Sequence, residues 1–140
     1  MRSRLEVLTI VLVALVVPGL VGCGEEGGQT GPARYKVTGT VKLDGKTIEG
    51  AEVIFEGDVS KGEANDVGTT DASGNYSVEV TDGKKKVKIS KKEGIGEKDA
   101  TGVYPNTKEL FPAKFNESTT LEKTIEKKDQ TINFDLQTAG

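Results

Sequence analysis

Hydrophobic and polar positions alternate with period two along most of the chain from Arg34 onward. Val37, Gly39, Val41 and Leu43 share one face, and Lys36, Thr38, Thr40 and Lys42 share the other. Ala51, Val53 and Phe55 point one way and Glu52 and Glu56 the other, while Ile54 breaks the polar set, as expected of a strand covered on both sides. Tyr76, Val78 and Val80 alternate with Ser77, Glu79 and Thr81, and Val87 and Ile89 with Lys86, Lys88 and Ser90. Leu121 and Ile125 share a parity, and Ile132, Phe134 and Leu136 alternate with Asn133, Asp135 and Gln137. Such alternation describes antiparallel sheets with one buried and one wetted face. Turn signals separate the runs at Asp44-Gly45, Ser73-Gly74-Asn75 and Asp82-Gly83. The charged stretch 117–128 imitates a helix, but Thr119, Thr120, Thr124 and Ile125 favour a strand. Residues 34–138 are therefore predicted to be all-β, a single seven-stranded antiparallel β-sandwich.

The N-terminal segment follows a different pattern. Arg2 and Arg4 precede an almost wholly apolar run from Val7 to Val17, which Pro18-Gly19 ends. A signal-peptide core needs roughly 7–15 apolar residues, whereas a membrane-spanning helix needs about 20. Residues 24–33 are Gly-rich and polar without periodicity, a flexible tether reaching about 15–20 Å on average. The expected organisation is a signal peptide at 1–22, an anchor residue and tether at 23–33, and one domain at 34–138.

Leu20-Val21-Gly22-Cys23 resembles the lipobox of bacterial lipoproteins: a large aliphatic residue, a tolerant position, a small residue, then Cys. The resemblance implies cleavage before Cys23, a diacylglycerol on its sulfur and a membrane partner through that anchor. Each buried methylene contributes about 0.8 kcal/mol, and two acyl chains suffice for stable anchoring. Gly24 rather than Asp follows Cys23, which leans the destination toward an outer membrane or cell surface. The alternatives are an ordinary secreted protein and an uncleaved tethered helix.

Composition narrows the chemistry. The chain has no histidine, no tryptophan and one cysteine. Ser–His and Cys–His pairs, histidine metal ligands and internal disulfides are excluded. Removing Arg2, Arg4 and Glu6 from 19 basic and 22 acidic residues leaves the remainder mildly acidic, against nucleic-acid binding. No catalytic residue, cofactor or metal site is expected. Asp71, Ser73 and Asn75 alternate in oxygen-bearing side chains as calcium loops do. The twelfth position is Asp82 rather than a bidentate Glu, so an Asx-type hairpin turn is the expectation.

Two features remain as candidate contacts. Lys84, Lys85, Lys86, Lys88, Lys91 and Lys92 could meet anionic headgroups at about 1 kcal/mol each, or simply occupy a solvent face and protect a strand edge. The irregular segment 93–118 carries Tyr104, Phe111 and Phe115 as a candidate contact surface. In the alternative, Leu110, Phe111 and Phe115 cap an open edge of the sandwich. Glu97, Asp99, Glu109 and Glu117 have no spacing that pairs two of them for acid–base work.

Val37-Thr38-Gly39-Thr40-Val41, Asp44-Gly45-Lys46, Ile48-Glu49-Gly50-Ala51-Glu52-Val53 and the Thr70-Asp71 to Gly74-Asn75-Tyr76 hairpin resemble the carboxypeptidase regulatory-like domain, a transthyretin-like β-sandwich. The tail Leu110 to Asn116, with Leu121 and Asn133 to Leu136, is similar to small bacterial lipoproteins that carry it. The family's module is accessory and does not catalyse. Transthyretin-like hydrolases use histidines and a C-terminal Tyr-Arg-Gly-Ser, and this chain ends Gln137-Thr138-Ala139-Gly140. The resemblance implies a non-catalytic structural or protein-interaction module whose partner is an unknown envelope protein. The alternative is a glycan or small-ligand module, with a concave site near Tyr104 and Phe111.

Overall fold

The computed structural model describes residues 31–139. The signal peptide, Cys23 and most of the tether lie outside the described residues. The strand order begins with β1 (Arg34–Leu43), β2 (Lys46–Thr47), β3 (Glu52–Phe55), β4 (Asp66–Thr69), β5 (Asn75–Thr81) and β6 (Gly83–Ser90). It continues with β7 (Lys92–Ile95), β8 (Asn106–Glu109), β9 (Glu122–Ile125), β10 (Gln130–Thr131) and β11 (Phe134–Leu136). Single 3-10 turns occupy Val59–Lys61 and Ala113–Phe115.

β1 organises the first sheet. Its alternation buries Val37, Gly39, Val41 and Leu43 on one side. β5 runs antiparallel to it from Arg34↔Thr81 to Thr40↔Asn75, and β2 closes a hairpin at Leu43↔Lys46. β10 and β11 pair with it in parallel, at Val37↔Gln130 and Val41↔Phe134. The second sheet is antiparallel in the order β4-β3-β6-β9. The two sheets meet across one core that includes Val37, Val41, Val53, Phe55, Val80, Val87 and Ile89, all at 0% exposure.

Among the described residues the expected seven antiparallel strands become eleven, two of them parallel to β1. Alternation detects only runs long enough to show a period, and β2 and β10 are two residues each. β7 and β8 are exposed at nearly every position, so they have no buried face to alternate with. Alternation also carries no information on strand direction, which is why the parallel pairing was invisible.

Gly39 makes the parallel junction close. A Cβ there would sit 1.8 Å from the carbonyl oxygen of Ile132, between β10 and β11. That oxygen accepts the Tyr76 hydroxyl at 2.7 Å, and burial pushes the Tyr76 pKa up. The Asn133 side chain accepts the Thr40 backbone N–H at 3.0 Å, replacing a ladder bond where the two short strands are interrupted.

Two ends of the domain can be distinguished from the pairings. The start of β1, the end of β5, the 56–65 loop and the 126–129 turn share one end: Arg34 pairs with Asp66, and the Lys36 N–H donates to Asp129. The end of β6, Gly50 and Thr70 share the other, where Glu52 pairs with Ser90 and the Gly50 N–H donates to Thr70.

Candidate contact surface

β7 and β8 pair from Lys92↔Glu109 to Ile95↔Asn106 as a separate two-stranded ribbon. Two strands alone are marginally stable in water, so this ribbon depends on what ties it. Its root is tied by Glu109. One carboxylate oxygen accepts the Ser90 hydroxyl at 2.6 Å, and the other accepts the N–H groups of Lys91 and Phe111 at 2.8 and 3.1 Å. Burial pushes the Glu109 carboxyl up, but these hydrogen bonds outweigh it and hold its pKa below the ordinary value.

The tip is tied by Asp99. Its carboxylate accepts the Thr101 N–H at 2.8 Å, the Thr101 hydroxyl and the Val103 N–H at 3.1 Å. The Thr101 hydroxyl bond is the main reason its pKa is lowered. Gly102, at φ +82, donates its N–H to the Asp99 carbonyl at 2.9 Å.

Tyr104 connects the tip back to β7. Its ring presses on Gly94 so closely that a Cβ at Gly94 would fall 2.0 Å from the ring. The Lys98 ammonium lies 5.2 Å from the ring centroid, within cation–π range. Tyr104 stays 40% exposed, with Ile95 and Val103 on the same ribbon at 48% and 59%. These three are among the largest exposed apolar side chains of the described residues.

The structure separates the three aromatic candidates. Tyr104 is at the surface, whereas Phe111 and Phe115 are 2% and 8% exposed and belong to the core. The chain turns inward at Ala113–Phe115, where the Asn116 amide donates to the Phe111 carbonyl at 3.1 Å. Phe111 and Phe115 therefore cap the sandwich and are not contact residues. A concave site shared by Tyr104 and Phe111 does not form.

The lysine run does not form one continuous free basic patch. Among the described residues, Lys86 and Lys92 are exposed without an ion pair, and the other four are paired or buried. Lys84, Lys88 and Lys91 pair with Glu122, Glu56 and Glu93. Lys85 points into the domain and is 4% exposed. Its ammonium meets one oxygen of Glu63 at 2.6 Å, and that oxygen also accepts the Thr81 hydroxyl at 3.1 Å and the Asp58 N–H at 3.2 Å. The Lys85 ammonium is the main cause holding the Glu63 carboxyl below its ordinary pKa. Lys85 shares the parity of Val87 and Ile89, and that parity was the sequence signal for its inward position.

Asp71 accepts the N–H groups of Ser73 and Asn75 at 2.8 and 2.9 Å, as an Asx-type turn does. Among the described residues no group of three or more Asp, Glu, Cys or His side chains is placed to hold a metal ion. Glu109 spends both carboxylate oxygens on backbone and hydroxyl donors, and Asp99 gathers its three donors on one oxygen. A further signal lay in the sequence: Asp99-Ala100-Thr101-Gly102-Val103-Tyr104 repeats the spacing of Asp71-Ala72-Ser73-Gly74-Asn75-Tyr76.

No family model matches the chain, and no curated protein matches it. Among solved structures, the crystal structure of a DUF3823 family protein from Parabacteroides merdae ATCC 43184 is similar at 13% sequence identity and a TM-score of 0.43. The similarity covers 75% of this chain and 46% of that one, so this chain spans less than half of that protein's length.

Proposed function

We propose that the chain is a membrane-anchored envelope lipoprotein whose transthyretin-like β-sandwich works without catalysis, as a structural or protein-interaction module. The β7–β8 ribbon is its contact element. The observation that carries this reading is Tyr104, a 40% exposed aromatic ring held by a tied turn and seated on Gly94. An exposed aromatic fixed in one pose loses little conformational entropy when a partner covers it. The anchor rests on Leu20-Val21-Gly22-Cys23 behind its apolar run.

Two measurements test the two parts. Intact mass should show acyl chains on the wild type and none on Cys23→Ala; an unlipidated wild type overturns the anchor. Crosslinking in native envelopes should recover a partner protein with wild type and lose it with Tyr104→Ala. Equal recovery moves the contact elsewhere, and a partner replaced by a glycan on an array assigns the ring to sugar stacking.

A further inference from the structure

We propose that the domain stands on the bilayer on the end built from the 56–65 loop, the 82–84 turn and the 126–129 turn, with Val59 in the headgroup layer. This deepens the lipoprotein reading above and rests on it. The first argument is where the chain comes in. β1 begins at this end, with the Arg34 guanidinium paired to Asp66 and donating to the Glu79 carbonyl at 3.1 Å. Residues 24–33 between the lipidation cysteine and β1 have an average reach of only about 15–20 Å. The ribbon springs from the opposite end of β6, eight residues away, a separation of roughly 25 Å.

The second argument is Val59. At 90% exposure it is the most exposed large hydrophobic side chain of the described residues. A mobile loop could turn it inward, but this loop is tied at several points. Asp58 caps the 3-10 turn by accepting the Ser60 N–H at 3.0 Å, and Gly62 ends it in the left-handed conformation. The Gly57 N–H donates to the Asn65 side chain at 3.0 Å. Glu63 is held from below by Lys85 and Thr81. The loop thus presents Val59 outward on a fixed base, the arrangement that lets one apolar side chain enter a lipid interface.

The third argument is charge. Four cations of this end have carboxylate partners: Lys61 with Asp58, Lys84 with Glu122, Lys128 with Glu126, and Arg34 with Asp66. Lys127 has no ion pair among the described residues, but Asp82 and Asp129 on the same turns offset its charge. Such a surface carries no net positive field, so it suits zwitterionic headgroups and gains nothing from anionic lipid. The occupant is a lipid surface of that kind rather than an acidic one.

The test uses the full acylated chain in vesicles. Cys23 is the only cysteine and is blocked by its lipid, so Val59→Cys and Val103→Cys each offer one labelling site for an environment-sensitive fluorophore. Both positions are exposed, so neither substitution disturbs the core. In phosphatidylcholine vesicles the label at 59 should shift to shorter wavelength and be quenched by lipid-borne nitroxides. The label at 103 should remain in water. Adding phosphatidylglycerol should change neither. Labels that behave alike, or a response at 59 that needs phosphatidylglycerol, overturn the proposal while leaving the anchor intact. Failure of the chain to float with the vesicles overturns the anchor and the proposal together.

Discussion

Removing Glu63 should destabilise the domain far more than removing its partner Lys85. Lys85 is 4% exposed, and among the described residues Glu63 is its sole ion-pair partner. Glu63→Ala leaves an ammonium buried without a counter-charge, which costs about 3–5 kcal/mol. It also frees the Asp58 N–H and the Thr81 hydroxyl that share the same oxygen. Lys85→Met keeps the apolar stem in the core and leaves Glu63 with both of those donors and 12% exposure to water. Losing one charged hydrogen bond on those conditions costs about 1–2 kcal/mol. In the Lys85→Met background, Glu63→Ala should cost about 2 kcal/mol less than it does in wild type. Urea unfolding followed by tyrosine fluorescence measures this, since the chain has three tyrosines and no tryptophan. At a slope of about 2 kcal/mol/M, Glu63→Ala should lower the midpoint by about 2 M. The Glu63 pKa is depressed from its ordinary 4.5. Its contribution is therefore complete above that value and is lost as pH falls through the folded pKa. The gap between wild type and Glu63→Ala should narrow in acid. Equal single-variant losses with a strictly additive double variant would refute the argument.

Phe111→Ala should cost about 3–5 kcal/mol, whereas Tyr104→Ala should stay within about 0.5 kcal/mol; comparable melting shifts would contradict their assignment to core and surface. Gly39→Ala drives a Cβ to 1.8 Å from backbone, so its cost should exceed the roughly 1–3 kcal/mol of ordinary overpacking. Gly94→Ala meets only the exposed Tyr104 ring; calorimetry should show little change while tyrosine nitration at 104 accelerates, and unchanged nitration would contradict the ring's seat on Gly94.

What was legible in the sequence was what a period can carry. β1, β3, β5 and β6 each bury alternate residues, and the 117–128 stretch reads as a strand through its threonines, as β9 confirms. The ribbon was not legible as a ribbon, because all four residues of β7 are exposed and leave no apolar parity. Its stability comes from Glu109 reaching across Ser90 and Lys91, a tertiary arrangement that spacing does not encode. Lys85 shows the opposite case. Its parity with Val87 was readable, yet its charge and lysine neighbours drew it into a surface patch. Only the Glu63 carboxylate, 22 residues away in sequence, makes the inward position tolerable.

The two copies of the Asp-Ala-Ser/Thr-Gly-x-Tyr pattern isolate what local sequence decides. In both, the Asp carboxylate accepts the N–H two residues on at 2.8 Å. It accepts the N–H four residues on at 2.9 Å in one and 3.1 Å in the other. In both, the Gly N–H returns to the Asp carbonyl at 2.9 Å, with φ at +76 and +82. The turn is thus a property of the four residues that form it. The fate of the Tyr at the sixth position is not. Tyr76 enters a seven-residue strand that faces a second sheet, and the Ile132 carbonyl is there to take its hydroxyl. Tyr104 is followed by Pro105 and a four-residue strand in a sheet of two, with a bare glycine as its floor. A buried tyrosine needs both an opposing sheet and a partner for its hydroxyl. The first hairpin supplies both. The second supplies neither, and the same turn that completes a core at residue 76 presents a ring to solvent at residue 104.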